Sequence, residues 1–127
     1  MLFLGLGTGL GSASITDGLV EPMELGHLPF RRGSYEDAVN REARRKRGRK
    51  RWQEAVFEMV KLFRAALEPD YVVIGGGSAE YLERLPARTR RGGNELAFVG
   101  GARLWDAERR VEPAAVRAEC APRFRRG

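Results

Sequence analysis

The chain has 127 residues, enough for one domain with a real hydrophobic core, and its composition is ordinary for a folded protein apart from abundant Gly and Arg. A net charge of +6 favours an anionic partner without naming one. The single Cys120 excludes a disulfide within the chain, and with His27 as the lone histidine it argues against a thiolate zinc cluster, so a reducing, cytoplasmic setting is the default expectation.

An apolar run, Met1 to Leu4, passes directly into Gly5-Leu6-Gly7-Thr8-Gly9-Leu10-Gly11-Ser12. Alternating glycines let a ligand approach the main chain. A run of amides turned into one concavity makes an anion site, to which Thr8 and Ser12 add hydroxyl donors. Neither standard phosphate fingerprint fits. No Gly-Lys pair occurs, which excludes a Walker loop, and Leu10 or Ser12 stands where a G-x-G-x-x-G loop needs its last glycine. Ser12 to Thr16 alternates, Asp17-Gly18 is a hairpin signal, and Leu19 and Val20 resume the apolar pattern. The glycines are therefore expected to join two antiparallel strands, and an ordinary glycine-rich hairpin explains them as well as a phosphate loop does. A signal-peptide reading, with Ser12-Ala13-Ser14 as a cleavage-like site, lacks a basic start and an unbroken apolar core. No apolar stretch is long enough to span a bilayer, and no membrane partner is expected.

Pro22 disfavours a central strand position, while Gly26 allows a bend that turns Glu24 and His27 to one side. A carboxylate and an imidazole three residues apart suit hydrogen bonding to a polyol, or acid–base work, but the spacing alone favours the simpler reading of a surface Glu and a partly satisfied His. Ser34 reads as a helix cap with Asp37 three residues on, and the helix is expected to run to about Lys46 and break at Gly48. Positions 44 to 51 carry Arg44, Arg45, Lys46, Arg47, Arg49, Lys50 and Arg51. That run is the strongest polyanion feature of the sequence, or a solvated Arg-rich face. No platform of free rings accompanies it, which counts against single-strand binding.

From Arg49 to Leu67 the residues Trp52, Val56, Met59, Val60, Phe63, Ala66 and Leu67 recur at three and four, which predicts an amphipathic helix stopped by Glu68-Pro69-Asp70. Tyr71 to Ile74 reads as a buried strand. Gly75-Gly76-Gly77 follows, with Ser78 as cap of a helix over Ala79 to Leu85. Pro86 to Gly93 reads as a basic loop and Asn94 to Trp105 as a helix, whereas residues 106 to 127 lack periodicity and read as a weakly ordered basic tail.

In their order and spacing, Leu6-Gly7-Thr8-Gly9-Leu10-Gly11-Ser12-Ala13, Asp17-Gly18, Glu24-Leu25-Gly26-His27 and Ile74-Gly75-Gly76-Gly77 resemble the C-terminal lobe of ROK-family sugar kinases, most of all the zinc-free, polyphosphate-glucokinase-like branch. The resemblance covers about Met1 to Trp105. It implies an α/β chain forming the C-terminal half of an actin-like (RNase-H-like) kinase fold, with N-terminal hairpin strands, two helices, a strand and further helices. It also implies roles. Gly7, Thr8, Gly9 and Gly11 match the loop holding the transferred phosphoryl chain; Glu24, His27 and Glu36 match sugar-hydroxyl ligands; Gly75, Gly76 and Gly77 match the adenosine-side loop. The implied ligands are a glucose-like hexose and Mg²⁺ with ATP or polyphosphate. Leu28 to Ser34 contains no cysteine, as expected without zinc.

The family's first phosphate loop and catalytic Asp lie in an N-terminal lobe that these 127 residues do not include. The resemblance thus assigns the chain no catalytic residue and leads one to expect a fragment, a misplaced start or half of a split enzyme, inactive alone and completed by that lobe or by a second copy. A small basic nucleic-acid-binding protein using residues 44 to 51 is the alternative. It leaves the glycines, Glu24 and His27 unexplained.

Overall fold

The structure is a computed structural model that describes residues 1–93. The helix expected over 94–105 and the tail over 106–127 lie outside the described residues. Seven strands form: β1 (Leu2–Leu6), β2 (Leu10–Thr16), β3 (Leu19–Met23), β4 (Pro29–Phe30), β5 (Gly33–Ser34), β6 (Val72–Gly75) and β7 (Thr89–Arg91). Three α-helices, α1 (Tyr35–Val39), α2 (Arg41–Arg47) and α3 (Arg49–Leu67), separate β5 from β6.

The main sheet runs β3-β2-β1-β6-β7, while β4 and β5 make a small separate hairpin. β1 pairs antiparallel with β2, from Leu2 opposite Ser14 to Leu6 opposite Leu10, so the glycines do join antiparallel strands. On its other side β1 pairs parallel with β6, placing Gly5 opposite Gly75, and β6 pairs parallel with β7. Pro22 sits in β3, at the sheet edge, where its missing N–H costs no ladder bond.

Period-two alternation puts Leu2, Leu4 and Leu6 of β1 and Val72 and Ile74 of β6 into one buried cluster. α3 closes that cluster with Trp52, Ala55, Val56, Met59, Val60 and Phe63. Trp52 is fully buried and its indole N–H donates to Val39 O at 2.8 Å, so the ring fills the core with its polar atom satisfied. Tyr35 stacks on Phe30 and tilts against Phe63, each at 4.5 Å between centroids. Burial first, then the Glu58 carboxylate, push its phenol above the ordinary value of 10.0.

Several expectations need correction. The single helix expected from Ser34 to about Lys46 is two. Asn40 leaves the helical region at φ −67°, ψ 171°, and its side chain accepts from the Ala43 amide, starting α2 afresh. Ser34 does cap α1, in a full capping box with Asp37. The apolar stripe of α3 ends at Phe63; Ala66 and Leu67 are exposed because the last turn runs past the core. The strand expected from Tyr71 begins at Val72. Instead of a helix over Ala79–Leu85 there is one 3-10 turn, Ala79–Tyr81. Ser78 is itself helical at φ −84°, ψ −13° and makes no side-chain cap, while Leu82 turns extended to enter the core. The expected loop Pro86–Gly93 contains β7, whose exposed Arg90 and Arg91 carry no apolar alternation.

Candidate functional site

Because β1 and β6 are parallel neighbours, the glycine turns that follow them leave from the same end of the sheet, where α/β proteins commonly bind ligands. The two turns interlock. The Ser78 amide donates to Leu6 O at 2.9 Å, and Gly76, at φ +83°, lies so close that a Cβ there would be 2.3 Å from the same oxygen. Only glycine meets both demands. A shallow, open concavity results, lined by Gly5, Leu6, Gly7, Gly9, Leu10, Gly11 and Gly76, with Glu36 as its only acid among the described residues.

Residues 35 to 41 hold the first turn from below. The Arg41 amide donates to Gly7 O at 2.9 Å, Gly7 N donates to Gly9 O at 3.0 Å, and the Leu10 amide donates to Glu36 Oε2 at 2.9 Å. Gly9 rests on that carboxylate, since a Cβ there would be 2.6 Å from Oε2. Glu36 Oε1 is in no hydrogen bond among the described residues, which leaves it free to accept from a ligand hydroxyl.

Glu24 and His27 flank a 3-10 turn, Leu25–His27. Both side chains are largely exposed, with His27 Nδ1 3.9 Å from Glu24 Oε2. The turn is fixed to the glycine loop through Gly26, whose absent Cβ would stand 3.1 Å from Leu10 O and 3.5 Å from the Glu36 Cβ. Its position is also set by Ser12, whose hydroxyl donates to Met23 O and accepts from the Leu25 amide. Ser12 is therefore a latch and not the free donor expected of it, whereas Thr8 is exposed with its hydroxyl unengaged among the described residues. The sequence-predicted residues thus fall into one neighbourhood: Glu36 touches the glycine loop and the 3-10 turn, and Glu24 and His27 stand beside each other on that turn. Sequence reasoning missed the backbone bracket at Asn40–Arg41, which carries no side-chain signature.

The glycines divide by cause. Gly75 is buried, with the Phe3 ring 3.0 Å from a would-be Cβ, and Gly76 is fixed by Leu6; both have a packing reason. A Cβ at Gly7, Gly11 or Gly77 would meet nothing within 4 Å, and none of the three has a positive φ. Their lack of side chains is unexplained by the described fold and is what close approach of a ligand requires.

The basic run is dispersed. Gly48, at φ +80°, breaks α2 from α3. Arg44 lies over the Tyr81 ring at 3.5 Å, its buried Nε without a hydrogen bond; Lys46 pairs with Glu42, and Arg49 with Glu83. No continuous helical face of seven cations forms.

No protein-family profile and no curated protein matches the sequence. Solved structures do. An inorganic polyphosphate/ATP-glucomannokinase from Arthrobacter sp. strain KM superposes with a TM-score of 0.70 at 29% identity over 81% of this chain. The fold is that of a sugar kinase. A ROK hexokinase from Thermus thermophilus shares it at a TM-score of 0.55 and 20% identity over 71% of this chain. The chain spans about half the length of each, 45% and 50% respectively. The five-stranded mixed sheet and its helices therefore match part of an actin-like sugar-kinase fold.

Among the described residues no three His, Cys, Asp or Glu side chains come together. No helix among the described residues is long and apolar enough to cross a membrane.

Proposed function

We propose that this chain is the substrate-holding half of a hexose phosphotransferase. Glu24, His27 and Glu36 bind the hydroxyls of a glucose-like sugar. Gly7, Thr8, Gly9 and Gly11 hold the phosphoryl end of the donor, and Gly75 to Gly77 border its far side. ATP or polyphosphate is the donor, with magnesium arriving on it. One observation supports this most: Glu36 holds the glycine loop with one carboxylate oxygen, keeps the other out of any hydrogen bond among the described residues, and packs its Cβ beside Gly26 of the Glu24–His27 turn, so the loop and the turn meet at one residue. A carboxylate repels a phosphate and accepts from a hydroxyl, which assigns it to the sugar side of the junction. The chemistry this half performs is holding and orientation; the proton-accepting carboxylate belongs to the N-terminal lobe of such enzymes, so the isolated chain binds without turnover. On this reading the chain belongs with the branch that uses polyphosphate without zinc, a placement supported by the cysteine-free stretch Leu28 to Ser34.

Titrating glucose into the full chain by heteronuclear NMR tests the reading. Shifts should centre on Leu25–His27, Gly9 and Leu10 and should vanish in Glu24→Ala/His27→Ala. Glucose shifts that persist in that double variant, or are absent in the wild type, would sink it.

A further inference from the structure

The arginines left over by the phosphotransfer site meet elsewhere. A groove of about 730 Å³ separates the β4–β5 hairpin from the corner between α2 and α3, and none of its lining residues borders the glycine concavity. Four guanidinium groups line it: Arg31 and Arg32 from the hairpin turn, Arg47 from the end of α2 and Arg51 from the start of α3. Asp37 and Glu54 are the acids among them. Asp37 is engaged by Ser34, whose hydroxyl and amide both donate to its Oδ2, and Arg31 pairs with Glu58 outside the groove. Arg32, Arg47 and Arg51 are in no ion pair among the described residues.

Those arginines come from three elements, separated in sequence by the stretch 33–46 between Arg32 and Arg47 and by the Gly48 break between Arg47 and Arg51, so the fold and not a helical repeat collects them. Guanidinium forks match phosphate oxygens two at a time, and several along one groove suit a chain of phosphates better than a single anion. The groove offers no ring for bases to stack on. Its one aromatic residue, Phe30, is buried, stacked on Tyr35 and covered by the Arg31 guanidinium at 4.9 Å. Single-stranded nucleic acid depends on such platforms, and a polymer of bare phosphates does not.

We propose that the groove between the β4–β5 hairpin and the α2–α3 corner is an accessory binding site for linear inorganic polyphosphate, contacted by Arg32, Arg47 and Arg51. The site does not depend on the phosphotransfer reading, because its residues and those of the glycine loops are disjoint. Arg32→Ala/Arg51→Ala removes two phosphate contacts from exposed positions without touching the core. In calorimetric titrations of medium-chain sodium polyphosphate into the full chain at two salt concentrations, that double variant should bind about tenfold more weakly. The slope of log affinity against log salt should fall by about two. Lys50→Ala/Lys61→Ala, which removes the same charge from exposed positions outside both the groove and the glycine loop, should bind with the wild-type affinity and slope, which separates this groove from an effect of net charge. Circular dichroism establishes that the variants are folded. Equal polyphosphate affinity in wild type and double variant overturns the proposal. So does tighter binding of an oligothymidylate of equal charge through the same two arginines, which would make the groove a nucleic-acid site. If glucose binding fails while the arginine effect holds, the phosphotransfer reading falls and this site stands.

Discussion

Gly76 and Gly77 are neighbours in the chain and should respond very differently to the same substitution. Gly76→Ala forces a side chain into the left-handed region and drives its Cβ into Leu6 O, 2.3 Å away. Strain and overpacking of that kind cost on the order of 3 kcal/mol together. Gly77→Ala and Gly11→Ala place the methyl in open space and should change stability by less than about 0.5 kcal/mol. Urea unfolding measures the three. If the exposed glycines serve a phosphate chain, Gly11→Ala also weakens donor binding while leaving the unfolding midpoint in place, a separation that a merely structural glycine would not show. Glu36 allows a related test. Glu36→Gln keeps an oxygen for the Leu10 amide, whereas Glu36→Ala leaves that amide unpaired, at a cost of about 1–3 kcal/mol. Hydrogen exchange at Leu10 should accelerate strongly in the alanine variant and only slightly in the glutamine variant. Equal acceleration in both would remove Glu36 as the loop's support.

At the scale of elements, α1 is too short to persist by propensity and depends on its capping box and its packing. The Ser34 hydroxyl, then its amide, hold the Asp37 carboxyl below the ordinary value of 3.8, with Arg47 adding to the shift. A depressed folded value means that the stabilisation is complete above the unfolded pKa and is lost as the pH falls through the folded one. Asp37→Asn should therefore be less stable than wild type at neutral pH, with the difference shrinking as the pH falls below about 4. Unfolding midpoints at several pH values check this. Much of this level was legible in the sequence. The apolar run at the start gave β1, alternation β2, Asp17-Gly18 the hairpin, and three-four spacing the long helix, because each is a local pattern with one dominant cause. The break at Asn40 was not legible, since Asn in a polar stretch is tolerated within a helix and becomes a cap only where the chain must turn to meet Gly7 O. β7 escaped for a different reason. An edge strand with Arg at two of three positions owes its form to pairing with β6, not to its own residues. Within the site, the glycines and Glu24, His27 and Glu36 were readable from spacing and resemblance, while the backbone bracket that positions them follows only from the assembled fold.

For the whole molecule, the question is what half of a sugar-kinase fold can do alone. Phosphoryl transfer needs a positioned donor, stabilised charge and a carboxylate to receive the hydroxyl proton. Under the proposed function the concavity supplies the first in part, and among the described residues its one acid is Glu36, one of whose oxygens already accepts the Leu10 amide. On the same reading Glu36 holds the loop and the sugar, and the base comes from the other lobe. The 127-residue chain, supplied with magnesium, glucose and either ATP or polyphosphate, is accordingly expected to form no sugar phosphate above the rate of the Glu24→Ala/His27→Ala variant. It should still bind glucose. Mixing it with the separately expressed N-terminal lobe of a sugar kinase of this fold should raise the rate above that of either part, because the second lobe brings the missing carboxylate and the opposing phosphate loop. Turnover by the chain alone that disappears in Glu36→Gln would reverse the assignment and make Glu36 the base; restoration by the added lobe, lost again in Glu24→Ala/His27→Ala, would place the sugar site on this half.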